Sequence, residues 1–156
     1  MNDFSYLIRI IKHGLRNLRE YFNLIWNDSD YDQVYFYKML RFKFDRIRNT
    51  LDNTFEGSDE VCENISKAVS ALDRLIEDDY CSEEYDAHFE KYGNLDLKFN
   101  DDGTCSIEYD KEISKEDEEI RHAESLNIER TAEERRQMDI DLICEIIRSD
   151  VQKWWI

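Results

Sequence analysis

Proline is absent from all 156 residues, and glycine occurs only four times. Both residues punctuate turns and interrupt helices, so their scarcity excludes a loop-rich or sandwich architecture and favours long unbroken helices. The four cysteines, Cys62, Cys81, Cys105 and Cys144, are scattered with no C-x-x-C pair, which reads as reduced thiols in a cytosolic protein. His13, His88 and His122 are isolated, without H-x-x-x-H or H-E-x-x-H spacing, so no metal site is expected. There is no G-x-S-x-G elbow, no phosphate-binding glycine loop and no dinucleotide fingerprint, and the chain reads as a non-enzyme without a cofactor. No apolar run approaches the ~18 residues that span a bilayer. The first residues lack the basic and apolar regions of a secretory signal.

What the chain has in abundance is charge, unevenly placed. Its formal net charge is −16, yet residues 1–50 hold nine Lys/Arg against six Asp/Glu and net +3, leaving −19 for the remainder. A chain this acidic repels nucleic acid at long range, so a duplex-binding face is not expected. Aromatic residues make up 13%, far more than disordered acidic chains carry. The length fits a single helical domain over 1–156.

Periodicity supplies the elements. Phe4, Leu7, Ile8, Ile11, Leu15, Leu18, Phe22 and Ile25 recur at three- and four-residue steps, the stripe of an amphipathic helix. Gly14 interrupts it and suits the close approach of another helix. Asn27-Asp28-Ser29-Asp30 reads as a turn and cap. A second helix is predicted from about Tyr31 to Phe55, with Phe36, Leu40, Phe44, Ile47 and Leu51 inward. Gly57-Ser58 ends it and caps a third, whose buried stripe is Val61, Ile65, Val69, Leu72 and Ile76. A short fourth helix follows Ser82, with Tyr85 and Phe89 inward and Gly93 as its stop.

Between residues 95 and 109 the period drops to two. Leu95, Leu97 and Phe99, then Cys105, Ile107 and Tyr109, alternate with polar residues around Asn100-Asp101-Asp102-Gly103, which predicts a β-hairpin. Helix resumes after Ser114. Thr131-Ala132-Glu133-Glu134 resembles a capping box, predicting a break near Asn127. A last helix then presents Ile140, Ile143, Ile147, Val151 and Trp154 along one side. The predicted fold is mainly α: a helical bundle with one inserted β-hairpin.

Asp28-x-Asp30-x-Asp32 imitates the opening of a calcium loop, but Gln33 and Met39 stand where a glycine and a bidentate Glu are required. Asp78-Asp79, Asp101-Asp102 and the run Glu116-Asp117-Glu118-Glu119 read as solvated surface. The sharpest candidate site is basic. Arg9, Lys12, Arg16 and Arg19 share helical spacing, and Tyr35, Lys38 and Arg41 follow on the second helix. Guanidinium forks beside aromatic rings suit the phosphates and base of a nucleotide. The competing reading pairs these cations with acidic neighbours of the same fold. Trp154 and Trp155 cannot both face one core, since neighbours on a helix lie about 100° apart. They are the expected oligomer interface, and a homo-oligomer is expected.

The stretch Ile11-Lys12-His13-Gly14-Leu15-Arg16-Asn17-Leu18-Arg19-Glu20-Tyr21-Phe22, continued by Ile25-Trp26-Asn27-Asp28-Ser29-Asp30-Tyr31-Asp32, resembles small accessory proteins carried by tailed bacteriophages. So do the pattern Tyr37-x-x-Leu40-x-x-Lys43, the segment from Leu72 to Tyr80, and the paired Trp near the end. Residues 94–115 fall outside the resemblance. It carries over no functional residue. It implies a phage protein made in the host bacterial cytoplasm and countering host defence. One route is a sponge that sequesters an anionic nucleotide signal in a basic, aromatic pocket. The alternative is an acidic protein-binding module that blocks a basic site on a host effector.

Overall fold

A computed structural model of the chain describes residues 3–26, 32–54, 57–100, 102–111 and 113–155. The predicted turn at Asn27-Asp28-Ser29-Asp30, with Tyr31, Phe55 and Asp101, lies outside the described residues, as does the side chain of Trp155. Five helices and one hairpin follow in order: α1 (Asp3–Trp26), α2 (Gln33–Thr54), α3 (Asp59–Glu77), α4 (Ser82–Tyr92), β1 (Leu95–Phe99), β2 (Cys105–Tyr109) and α5 (Lys115–Asp150). A 3₁₀ turn, Val151–Trp155, completes the chain. The mainly α fold with one hairpin is as the periodicity predicts.

The core is built around α3. Ile65, Ala68, Val69, Ala71, Leu72 and Leu75 are buried between Phe44 and Leu51 of α2 and Ile143 and Ile146 of α5. Two alanines on the buried face let both neighbouring helices approach closely, which their small size alone would not reveal in a hydrophobic stripe. Trp154 turns back onto this core and meets Phe44 edge to face, with ring centroids 5.3 Å apart. Phe36, predicted inward, is instead 62% exposed.

Charged groups inside the bundle are matched. Asp139 is buried on α5, where it accepts from Arg74 Nε at 2.8 Å, Arg74 Nη2 at 2.5 Å and Tyr80 Oη at 2.9 Å. Burial, reinforced by the hydrogen bond to this carboxylate, pushes the Tyr80 phenol well above its ordinary range. Asp150 is fully enclosed and accepts from Asn64 at 2.8 Å and Lys153 at 2.6 Å. These hydrogen bonds hold its carboxyl below the usual value.

Two local expectations need correction. The helix does not break near Asn127: α5 is continuous for 36 residues. Thr131 is not a cap, because its hydroxyl donates back to the Asn127 carbonyl at 2.8 Å, a bond available only inside a helix. The working cap is Ser114, whose Oγ accepts from the Asp117 amide at 3.1 Å. On α4 the residues fully buried are His88 and Tyr92, while Tyr85 and Phe89 are half-buried. Gly93 stops α4 as predicted, with φ at 96° and its amide on the Phe89 carbonyl at 2.8 Å. A Cβ there would sit 2.1 Å from Asp110 Oδ1.

Candidate functional site

The basic residues begin on α1. Arg9, Lys12, Arg16 and Arg19 are all exposed. Arg9 lies over the Tyr6 ring at 5.4 Å, and Arg16 approaches Glu20 at 4.0 Å within the same helix. On α2, Lys38 stands over the ring of Tyr35 at 4.7 Å. Arg41 is committed elsewhere: it reaches across to Asp73 of α3 and holds Asp45 at 3.2 Å. Those carboxylates raise its pKa further. Arg41 therefore acts as an ion-pair partner between α2 and α3.

The join between α1 and α2 uses a different cation. Arg46, not a predicted site residue, bonds Glu20 at 2.8 Å and Asn17 at 3.0 Å. It also lies over the Tyr21 ring at 5.0 Å, and Tyr21 meets Phe42 edge to face. Asn17, Tyr21 and Leu24 are the half-buried positions of α1.

This docking leaves the apolar stripe of α1 uncovered. Phe4, Ile8, Ile11, Leu15, Leu18, Phe22 and Ile25 are between 37% and 72% exposed, and Trp26 at the helix end is 75% exposed. Their spacing alternates strictly between four and three residues, a seam fit for a partner helix. At 1.5 Å per residue the seam follows a helix about 36 Å long. Gly14 stands at its edge with nothing within 4 Å of where a Cβ would be, so among the described residues no helix uses the close approach it permits. Lys12 and Arg19 flank the seam. Isolated apolar side chains on a surface are ordinary, but a contiguous stripe of this length marks a contact site.

A second uncovered apolar region lies between α4 and α5. A groove of about 620 Å³ is lined by the apolar side chains of Ala87, Ile120, Ala123 and Ile128 and by Glu84, Lys91, Glu124 and Asn127. Lys91 bonds Glu124 at 2.8 Å, and Glu84 is paired with Arg135 at 2.8 Å. The hydrogen bond from Lys91 holds the Glu124 carboxyl low, and Glu84 is held low by its own backbone amide and then by Arg135. His88 lines the same groove from a buried position, packed on Tyr92 and Tyr109, with neither ring nitrogen hydrogen-bonded. Burial pushes its pKa down.

The hairpin borders this region. Its register pairs Leu95 with Tyr109, Leu97 with Ile107 and Phe99 with Cys105. One face is therefore apolar, and Leu95, Leu97, Phe99 and Ile107 remain exposed on it. Tyr109 is half-buried, under the Arg121 guanidinium at 3.8 Å.

Of the expected oligomer interface, Trp154 is half-buried against Phe44 of its own chain, and the side chain of Trp155 lies outside the described residues. Among the described residues, α1 and the hairpin carry most of the exposed large apolar side chains. That α1 is amphipathic was legible; that its stripe would stay open was not, because a covered and an uncovered stripe have the same spacing. No family model, no curated protein and no solved structure matches the chain.

Proposed function

We propose that this protein is a non-enzymatic interaction module that works by contact with other protein chains, with α1 as its docking helix. One observation carries the reading: the seven-residue seam of α1 is uncovered along the whole helix. Burying such a stripe yields about 25 cal/mol per Å² of apolar surface, a gain this chain leaves for a partner to realise. The acidic body suits a blocking role, since its charge steers it toward basic surfaces. In the setting that the phage resemblance implies, the target is a host defence protein met in the bacterial cytoplasm.

Nucleotide sequestration has less in its favour. Arg41, which that pocket needs, is neutralised by Asp73 and Asp45, and α1 meets α2 through Arg46 and Tyr21 rather than through its basic face.

Two measurements test the reading together. The purified protein is incubated with cyclic and ADP-ribose nucleotides, washed and boiled; no intact nucleotide is expected in the released fraction. Cross-linking in cells that express the protein is expected to trap protein adducts on α1. These disappear in the Ile11→Asp/Leu18→Asp double variant while its circular dichroism is unchanged. Stoichiometric release of an intact nucleotide, lost on Arg16→Ala/Arg41→Ala, would overturn the proposal in favour of a sponge.

A further inference from the structure

The two uncovered apolar regions of the molecule carry opposite charge. α1 holds four cations against two carboxylates, +2, so the rest of the chain carries −18. The groove between α4 and α5 lies in the acidic part of the chain. Glu84 and Glu124 line it but are paired with Arg135 and Lys91; the negative charge left beside it comes from Glu83, one turn before Ala87, and from Glu116 and Asp117, one turn before Ile120. The apolar lining of the groove includes two alanines, Ala87 and Ala123, whose small side chains leave room for a bulky guest.

We infer that the groove takes α1 from a second copy of this chain. The inference rests on the reading of α1 as a docking helix and names its partner. The middle of the seam, Ile11, Leu15 and Leu18, supplies apolar knobs for the groove, and Lys12 and Arg19 flank it to meet Glu83 and Glu116 beside the groove. Gly14 lets the backbone of the guest helix come close. Pairing of α1 with itself does none of this. Antiparallel, it sets Lys12 and Arg19 against their own like charges; parallel, it sets them against Leu7, Gly14 and Tyr21. Charge complementarity thus selects the groove over a second α1.

The helix and the groove are separate surfaces of one molecule. Two copies can exchange helices reciprocally about a two-fold axis and bury both pairs, the simplest closed form of such a contact.

Sedimentation velocity of the full chain at rising concentration tests this. A monomer–dimer equilibrium is expected, weakening at high salt as exposed charges are screened. Ile11→Asp/Leu18→Asp breaks the seam and Ala87→Arg/Ala123→Arg fills the groove; all four positions are exposed, so each variant keeps its helical circular dichroism. Each alone is expected to be monomeric. Mixed, they are expected to form a one-to-one heterodimer, because one intact seam and one intact groove remain. A groove-filled variant that still dimerises overturns the inference in favour of α1 self-pairing. A wild-type chain monomeric at every concentration overturns it too, yet leaves α1 free for a different protein; only the further loss of α1-dependent cross-links would overturn the docking helix itself. If a groove variant misfolds, charge exchange replaces it. Lys12→Glu/Arg19→Glu should weaken the dimer at least about tenfold, and Glu83→Lys/Glu116→Lys in the same chain should restore it. Failure of that restoration also overturns the inference.

Discussion

Asp139 and His88 are the two buried polar side chains whose surroundings differ most. Asp139 is fully engaged by Arg74 and Tyr80, so removing it strands a half-exposed guanidinium and a buried phenol. The exposed guanidinium is re-solvated, and leaving the buried phenol without its acceptor costs about 1–3 kcal/mol. Asp139→Ala should lower the unfolding free energy by about that amount in urea denaturation. His88 has no hydrogen-bond partner among the described residues and its pKa is depressed by burial, with Lys91, Arg121 and Glu124 as its charged neighbours. The unfolded chain therefore binds a proton at His88 before the folded chain does. Stability from this residue is complete above the unfolded pKa near 6.5 and falls as the pH drops toward the folded value. His88→Phe should flatten the pH dependence of stability just below pH 6.5, where carboxylates contribute little; an unchanged slope in urea titrations would refute this assignment. Neither residue stood out in the sequence. Asp139 is one carboxylate among thirty-seven, and an isolated histidine carries no spacing signal.

Elements with a strong period were legible throughout. The hairpin strands fall where alternation placed them, and α3 where its apolar stripe did. Boundaries set by single polar residues were less so. Ser114 and Thr131 both precede acidic residues by a similar interval, and only the surrounding helix decides that one caps while the other bonds backward. Ser114→Ala should cost about 1 kcal/mol, the usual value of an N-cap, read as a fall in thermal midpoint, whereas Thr131→Ala should leave the midpoint nearly unchanged. Gly93 is the most constrained joint. Its positive φ and the nearby Asp110 carboxylate leave no room for a side chain. Gly93→Ala should therefore loosen the hairpin from α4, seen as faster proteolysis between residues 93 and 113 without loss of overall helicity.

At the scale of the whole molecule, the chain divides its apolar residues between a core built on α3 and a seam left open on α1. The two should respond oppositely to substitution. Leu72→Ala removes a completely buried side chain and should cost about 2–5 kcal/mol. Leu15→Asp, at a position 61% exposed, should leave the stability of the isolated monomer almost unaltered. Equal losses from both would mean that α1 is covered within its own chain. Periodicity alone could not separate these cases: it reports that a helix has an apolar side, not which molecule covers it. The basic residues were likewise visible as a group, but their partners Asp73, Asp45 and Glu20 come from folding, which sequence spacing does not encode.

The continuous α5 has a consequence for how the molecule breathes. Its 36 residues span about 54 Å, and the buried positions Asp139, Ile143, Ile146 and Asp150 all fall in its second half. The first half is held mainly by surface pairs such as Lys91 with Glu124. Amide protons beyond Asp139 can reach deuterium only when the core itself opens, whereas those near Ile120 are released by local fraying. A single uninterrupted helix should thus show a steep gradient of hydrogen exchange along its length, slow at one end and fast at the other. A guest seated between Ala87 and Ala123 would be registered first as slowing at the fast end.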